Sequence, residues 1–115
     1  PFVNEGLQMK KALQVLSIKK LGTLIVQNSK KITTGIITDG QIRRLNETGN
    51  SLQDLTVKRV MTTNPITIHK DTLAEKALSI MNTKKITSLC VHGKKNTKKT
   101  IGILHIHSIL QSNIH

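Results

Sequence analysis

The sequence repeats itself, and the repetition limits the fold more than any other feature. Displaced by 65 positions, Met9, Ala12, Leu13 and Leu16 fall on Ala74, Ala77, Leu78 and Met81. The same shift carries Lys19-Lys20 onto Lys84-Lys85 and Thr23-Leu24-Ile25-Val26 onto Ser88-Leu89-Cys90-Val91. The glycine strand Gly35-Ile36-Ile37-Thr38 meets its echo, Gly102-Ile103-Leu104-His105, at a shift of 67, so the second repeat carries two extra residues in the loop before it. Shared order over helix, strand, strand and helix argues for a duplicated module rather than two amphipathic segments alike by chance. A half of about 55 residues is marginal by itself, so the halves are expected to bury faces against each other.

Each repeat reads as strand, helix, strand, strand, helix, an α+β unit. Residues 7–19 form an amphipathic helix with Met9, Ala12, Leu13 and Leu16 on one face. Thr23–Gln27 and Lys31–Ile37 form a hairpin across Asn28-Ser29-Lys30, and 39–47 form a second helix. In the second repeat, Ile66–Ile68 is the opening strand, delivered by a turn at Pro65. Thr72 is placed to cap the next helix, with Glu75 completing a capping box, and that helix runs to about Lys84. Ser88–His92 and Thr100–Leu104 form the second hairpin, and 106–113 the last helix. The repeats are assigned to residues 1–50 and, with the connector, 51–115. Pro1-Phe2-Val3 aligns with Ile66-Thr67-Ile68, so the first repeat starts partway through its own opening, as a piece of a longer protein would. Two such units related by a pseudo-twofold are expected to leave two equivalent clefts.

The glycine strand ends in a turn into a helix. Thr38 can cap that helix, with Gln41 three residues on to reach back. Unpaired backbone N–H groups and a positive dipole end gather there, which suits an anion such as phosphate. His105 and His107 occupy the corresponding turn in the second repeat. Two histidines without a neighbouring carboxylate or thiol are too few for a metal, so no metal is expected. His69, His92 and His115 are expected at the surface. Nothing resembles a nucleophile with its base, and no catalytic residue is assigned.

The formal charge of +12 invites a nucleic-acid reading, but 15 of the 18 basic residues are Lys, scattered mostly in pairs. Arg is the better bidentate reader of phosphate and bases. Phe2 is the one aromatic, so there is no stacking platform. No apolar run is long enough to span a membrane. The single cysteine, Cys90, excludes an internal disulfide and reads as a small core residue. A cytoplasmic protein with neither nucleic acid nor membrane as partner is expected.

With those residues laid out, the chain resembles a tandem pair of CBS domains, a Bateman module. Val60-Met61…Pro65-Ile66-Thr67-Ile68, the central hairpins and the Gly-x-x-Thr turn carry the resemblance. A narrower likeness, through Lys20-Leu21-Gly22, Gly35–Gly40 with Arg43-Arg44, Val60-Met61-Thr62, Lys85–Ser88 and Gly102–His107, is to the C-terminal region of KpsF/GutQ-type arabinose-5-phosphate isomerases. In that family an N-terminal SIS (sugar isomerase) domain interconverts ribulose 5-phosphate and arabinose 5-phosphate for Kdo and lipopolysaccharide synthesis. The resemblance implies a regulatory module without catalytic groups of its own, a homodimer through the CBS pairs, and a nucleotide effector in the clefts. No cofactor is required.

Among CBS pairs the Thr of Gly-x-x-Thr touches phosphate, and an Asp three residues on holds the ribose hydroxyls. Here that Asp position is Gln41 in the first repeat and Ser108 in the second, and His105 stands where the second Thr would be. The candidate effector residues are therefore Thr38, Asp39 and Gln41, with His105, His107 and Ser108. The departures argue against ordinary AMP or ATP recognition and leave room for another anion, such as the nucleotide sugar CMP-Kdo. They equally suit a dimerisation or interaction module that has lost its ligand.

Overall fold

A computed structural model describes residues 2–19, 22–49, 51–93 and 98–112. It divides into two compact units, one up to Pro65 and one from Ile66. The first unit holds β1 (Phe2–Asn4), α1 (Met9–Lys19), β2 (Thr23–Gln27), β3 (Thr33–Thr38), α2 (Asp39–Glu47), α3 (Val57–Val60) and β4 (Thr62–Thr63). The second holds β5 (Thr67–His69), α4 (Ala74–Lys84), β6 (Ser88–His92), β7 (Thr100–His105) and α5 (Ile106–Ser112).

The duplication holds residue by residue in the backbone pairing. β1 runs parallel to β2 with Phe2 opposite Ile25, and β5 runs parallel to β6 with Thr67 opposite Cys90. Both hairpins are antiparallel, with Val26 opposite Gly35 and Val91 opposite Gly102. Each carries a register shift at the same place, Val26/Gln27 and Val91/His92. Asp39 N donates to Gly22 O at 3.0 Å, and Ile106 N donates to Thr87 O at 2.8 Å, so both strand-to-helix turns are anchored alike.

Each unit has its own apolar core. Met9, Ala12 and Leu16 of α1 pack with Leu24, Val26, Ile37, Ile42 and Val57 in the first. Ala77 and Met81 of α4 pack with Ile68, Leu89 and Ile109 in the second. These are the i, i+3, i+4 stripes and strand alternations of the sequence, so hydrophobic burial holds the helices onto the sheets. Burial pushes the Cys90 thiol up, against a smaller opposing effect of its hydrogen bond with Thr100, so Cys90 is an unreactive core residue.

Several expected boundaries move. α1 starts at Met9, because Gln8 is held in a bridge to Thr56. β3 starts at Thr33, because Asn28 Oδ1 accepts from Lys30 N and Ile32 N and keeps the turn open to Ile32. Thr72 does not cap α4. Its N–H is used in a turn to His69 O at 2.9 Å, and Leu73 is the N-cap, without a side-chain bond. Gln41 does not reach back to Thr38 either. The connector does not join the second repeat, as the 51–115 boundary has it. Met9 N donates to Leu55 O at 2.8 Å and β4 pairs with β3, which seats it on the first unit. His69 and His92 are half-buried rather than exposed, with rings edge to face at 5.5 Å. His115 and residue 113 lie outside the described residues.

Candidate functional site

In the first unit, β3 delivers α2 and Thr38 sits at the junction. Its backbone is extended and its Oγ1 accepts from Gln41 N at 3.2 Å, closing the cap foreseen from the sequence. Asp39, the first helical residue, is exposed and favours the positive helix end. Gln41 faces the connector. Its Nε2 donates to the Val60 carbonyl, and its Oε1 is buried with no hydrogen-bond partner among the described residues. Val60 ends the four-residue helix α3, so its carbonyl is one that the helix itself leaves over.

Beside Gln41 lies a groove of about 580 Å³ between α2 and the connector. Arg44, Thr48, Leu52 and Arg59 line it with Gln41 and Val60. Arg44 and Thr48 fall on the Gln41 face of α2 by helical spacing, which the sequence shows. Their partner wall comes from residues 51–60, which it does not.

In the second unit, His105 ends β7 and His107 lies in the first turn of α5. The rings stack at 4.9 Å with an interplanar angle of 22°, and His105 Nδ1 accepts from His107 N at 3.2 Å. Accepting there leaves the proton of neutral His105 on Nε2. Burial, and then the neighbouring His107, hold the His105 imidazole below its usual value of 6.5. Ser108 is exposed and lines a different groove, of about 460 Å³, with His69, Lys70, Thr72 and Gly102. The six candidates therefore form a Thr38–Asp39–Gln41 turn on one unit, a stacked histidine pair on the other, and Ser108 facing elsewhere. Among the described residues no group of three His, Cys, Asp or Glu side chains is placed to hold a metal. No described helix is long and apolar enough to cross a membrane.

Paired β-α-β-β-α units with a Gly-x-x-Thr turn define the class. The CBS domain family model matches residues 57–114, and the chain belongs to the CBS domain family. Its repeat makes it a CBS-domain pair. In sequence it is 35% identical over 115 residues to arabinose 5-phosphate isomerase KdsD of Salmonella typhi, covering 99% of this chain and 34% of that protein. It thus spans about a third of the length of the curated relatives it matches. In fold it matches a CBS-domain containing protein from Agrobacterium tumefaciens with a TM-score of 0.86 at 18% identity, over 98% of this chain and 83% of that one. A CBS domain protein from Pyrobaculum aerophilum, complexed with AMP, matches with a TM-score of 0.82 at 18% identity, over 96% of this chain and 88% of that one.

Proposed function

We propose that the chain is the regulatory CBS-pair module of a sugar-phosphate isomerase, one that interconverts ribulose 5-phosphate and arabinose 5-phosphate for Kdo and lipopolysaccharide synthesis. The observation that carries this reading is the 35% identity to the isomerase along 99% of the chain. A separate SIS domain holds the catalytic groups in the cytoplasmic parent enzyme, and the CBS pair supplies none. Its part is to sense a nucleotide or nucleotide-sugar effector and to join copies of the enzyme through paired CBS faces. AMP in the Pyrobaculum aerophilum protein supports nucleotide chemistry for this fold. The effector residues are Thr38, Asp39 and Gln41 on one repeat and His105, His107 and Ser108 on the other. Regulation then requires the effector to favour one state of the catalytic assembly over another.

One observation favours a second reading, an assembly module without a ligand. The Gln41 Nε2 and the His105 Nδ1 are both engaged inside their own units. A thermal-melt panel with AMP, ATP, CMP and CMP-Kdo separates the two. At 100 times its dissociation constant a ligand adds about 2.7 kcal/mol, which raises the midpoint by several degrees. A shift with any of these compounds supports sensing. No shift with any of them at millimolar concentration, together with a dimer in sedimentation, supports assembly alone.

A further inference from the structure

Of the three methionines, Met9 and Met81 are enclosed in the two cores, at 0% and 1% exposure, while Met61 is half-buried. Met61 stands on the connector between α3 and β4. Its N–H donates to Val57 O at 2.9 Å, and Thr62 and Thr63 after it pair with Ile36 and Gly35. Its thioether lies against the glycine strand. A Cβ built on Gly35 would lie 2.7 Å from Met61 Sδ and 2.9 Å from its Cγ, so the absence of a side chain is what admits the thioether. Thr34 Oγ1 donates to the same sulfur at 3.9 Å. A Cβ at Gly102, the equivalent position of the second repeat, would meet nothing within 4 Å, so the face that Met61 covers over Gly35 is open there.

Sulfur is the readily oxidised atom in this chain. The single thiol, Cys90, is 1% exposed and buried among apolar groups, which makes it inert. A thioether needs no deprotonation to react. It needs only that an oxidant reach it, and Met61 is the one methionine that solvent touches to any extent. Little else holds the segment that follows it, since β4 pairs with β3 through two residues only. One residue upstream, the Val60 carbonyl is fixed by Gln41 Nε2. The segment 61–63 is thus anchored at one end and held down mainly by the thioether.

We propose that Met61 is an oxidative modification site, converted by hydrogen peroxide to methionine sulfoxide, and that the change releases residues 61–63 from β3. A sulfur lone pair attacks one peroxide oxygen, and an S–O bond forms as the O–O bond breaks. The departing hydroxide takes the proton from the retained oxygen and leaves as water. Sulfur loses two electrons and the peroxide gains them. The product is polar where the thioether was apolar. On the Gly35 side Sδ already fills the place of a side chain, so the new oxygen has no room there, and burying it without a partner is costly. It turns toward water and takes the side chain with it. A methionine sulfoxide reductase reverses the change. None of this depends on an effector.

The test is to treat the folded chain with hydrogen peroxide, place the added oxygens by proteolysis and mass spectrometry, and follow melting and amide hydrogen exchange. Met61 is expected to oxidise at least about tenfold faster than Met9 or Met81. The oxidised chain should melt several degrees lower and exchange about tenfold faster at the amides that join β3 to β4. The Met9 and Val57 amides, bonded to Leu55 O and Leu7 O, should keep their protection. Methionine sulfoxide reductase should restore both readings. Met61→Leu keeps the bulk without the sulfur, so its midpoint should stay within about 2 degrees of the parent and not respond to peroxide. Oxidation of Met9 or Met81 as fast as Met61 overturns the proposal. So does a Met61 sulfoxide that leaves melting and exchange unchanged, or a Met61→Leu chain that responds as the parent does. Where Met61→Leu does not fold, the reductase step on the parent chain decides: recovered protection supports the proposal, and none overturns it.

Discussion

The side chain of Gln41 donates through Nε2 to the backbone carbonyl of Val60, nineteen residues away, and its Oε1 is buried without a partner among the described residues. A carboxylate cannot make that donation and would face the carbonyl with like charge. Gln41→Glu is expected to destabilise the chain by about 1–3 kcal/mol, and Gln41→Met by about 1 kcal/mol or less, because Met also removes the unpaired oxygen. Urea denaturation of the two variants checks the order. A Glu variant as stable as the Met variant would remove the bond from the account.

Gly35→Ala is expected to cost about 1–3 kcal/mol, since the added methyl meets a backbone oxygen and the Met61 sulfur at 2.7 Å. Gly102→Ala, at the equivalent position of the second repeat, is expected to change stability by about 0.5 kcal/mol or less. Equal effects in thermal melts would contradict the difference between the two faces.

The helix caps differ in the same testable way. Thr38→Ala removes an acceptor for Gln41 N and is expected to cost about 1 kcal/mol. Thr72 lies outside the cap of α4, so Thr72→Ala is expected to stay within about 0.5 kcal/mol of the parent. Chemical denaturation distinguishes the two, and a large loss at Thr72 would restore the capping box.

The lowered His105 pKa gives stability a pH dependence of definite sign. In the unfolded chain His105 titrates near 6.5, and in the folded chain it titrates lower. The unfolded state therefore binds more protons as pH falls through 6.5. The stability from neutral His105 is complete above that value and declines below it, down to the folded pKa. Melting between about pH 7.5 and 5 should show this decline, reduced in His105→Asn, which cannot take up a proton. An identical slope in the variant would assign the decline to other groups.

Much of the fold was legible because its causes are local. The stripe of Met9, Ala12 and Leu16, the hairpins whose second strands hold Gly35 and Gly102, and the Thr38 cap all follow from spacing and short-range bonds. The cap of α4 was misplaced because Thr72 and Glu75 fit a local pattern that competes with the turn from His69. The candidate residues were found as positions in a motif, but their partners were not. A carbonyl freed at the end of α3 has no signature at Gln41, and the His105–His107 stack depends on the turn between strand and helix.

The sequence by itself determined the duplication, the order of strands and helices, and membership in the CBS family, because repeat spacing and hydrophobic period act within a few residues of chain. Only the tertiary structure decided where the connector goes and, with it, how the repeats differ. Once residues 57–63 lie across the first unit, Gly35 is enclosed, Gln41 is engaged and Met9 is buried, while Gly102, Ser108 and Ala74 face an open groove. That choice is made by backbone groups far apart in sequence, where nearly any side chain carries the same donors and acceptors.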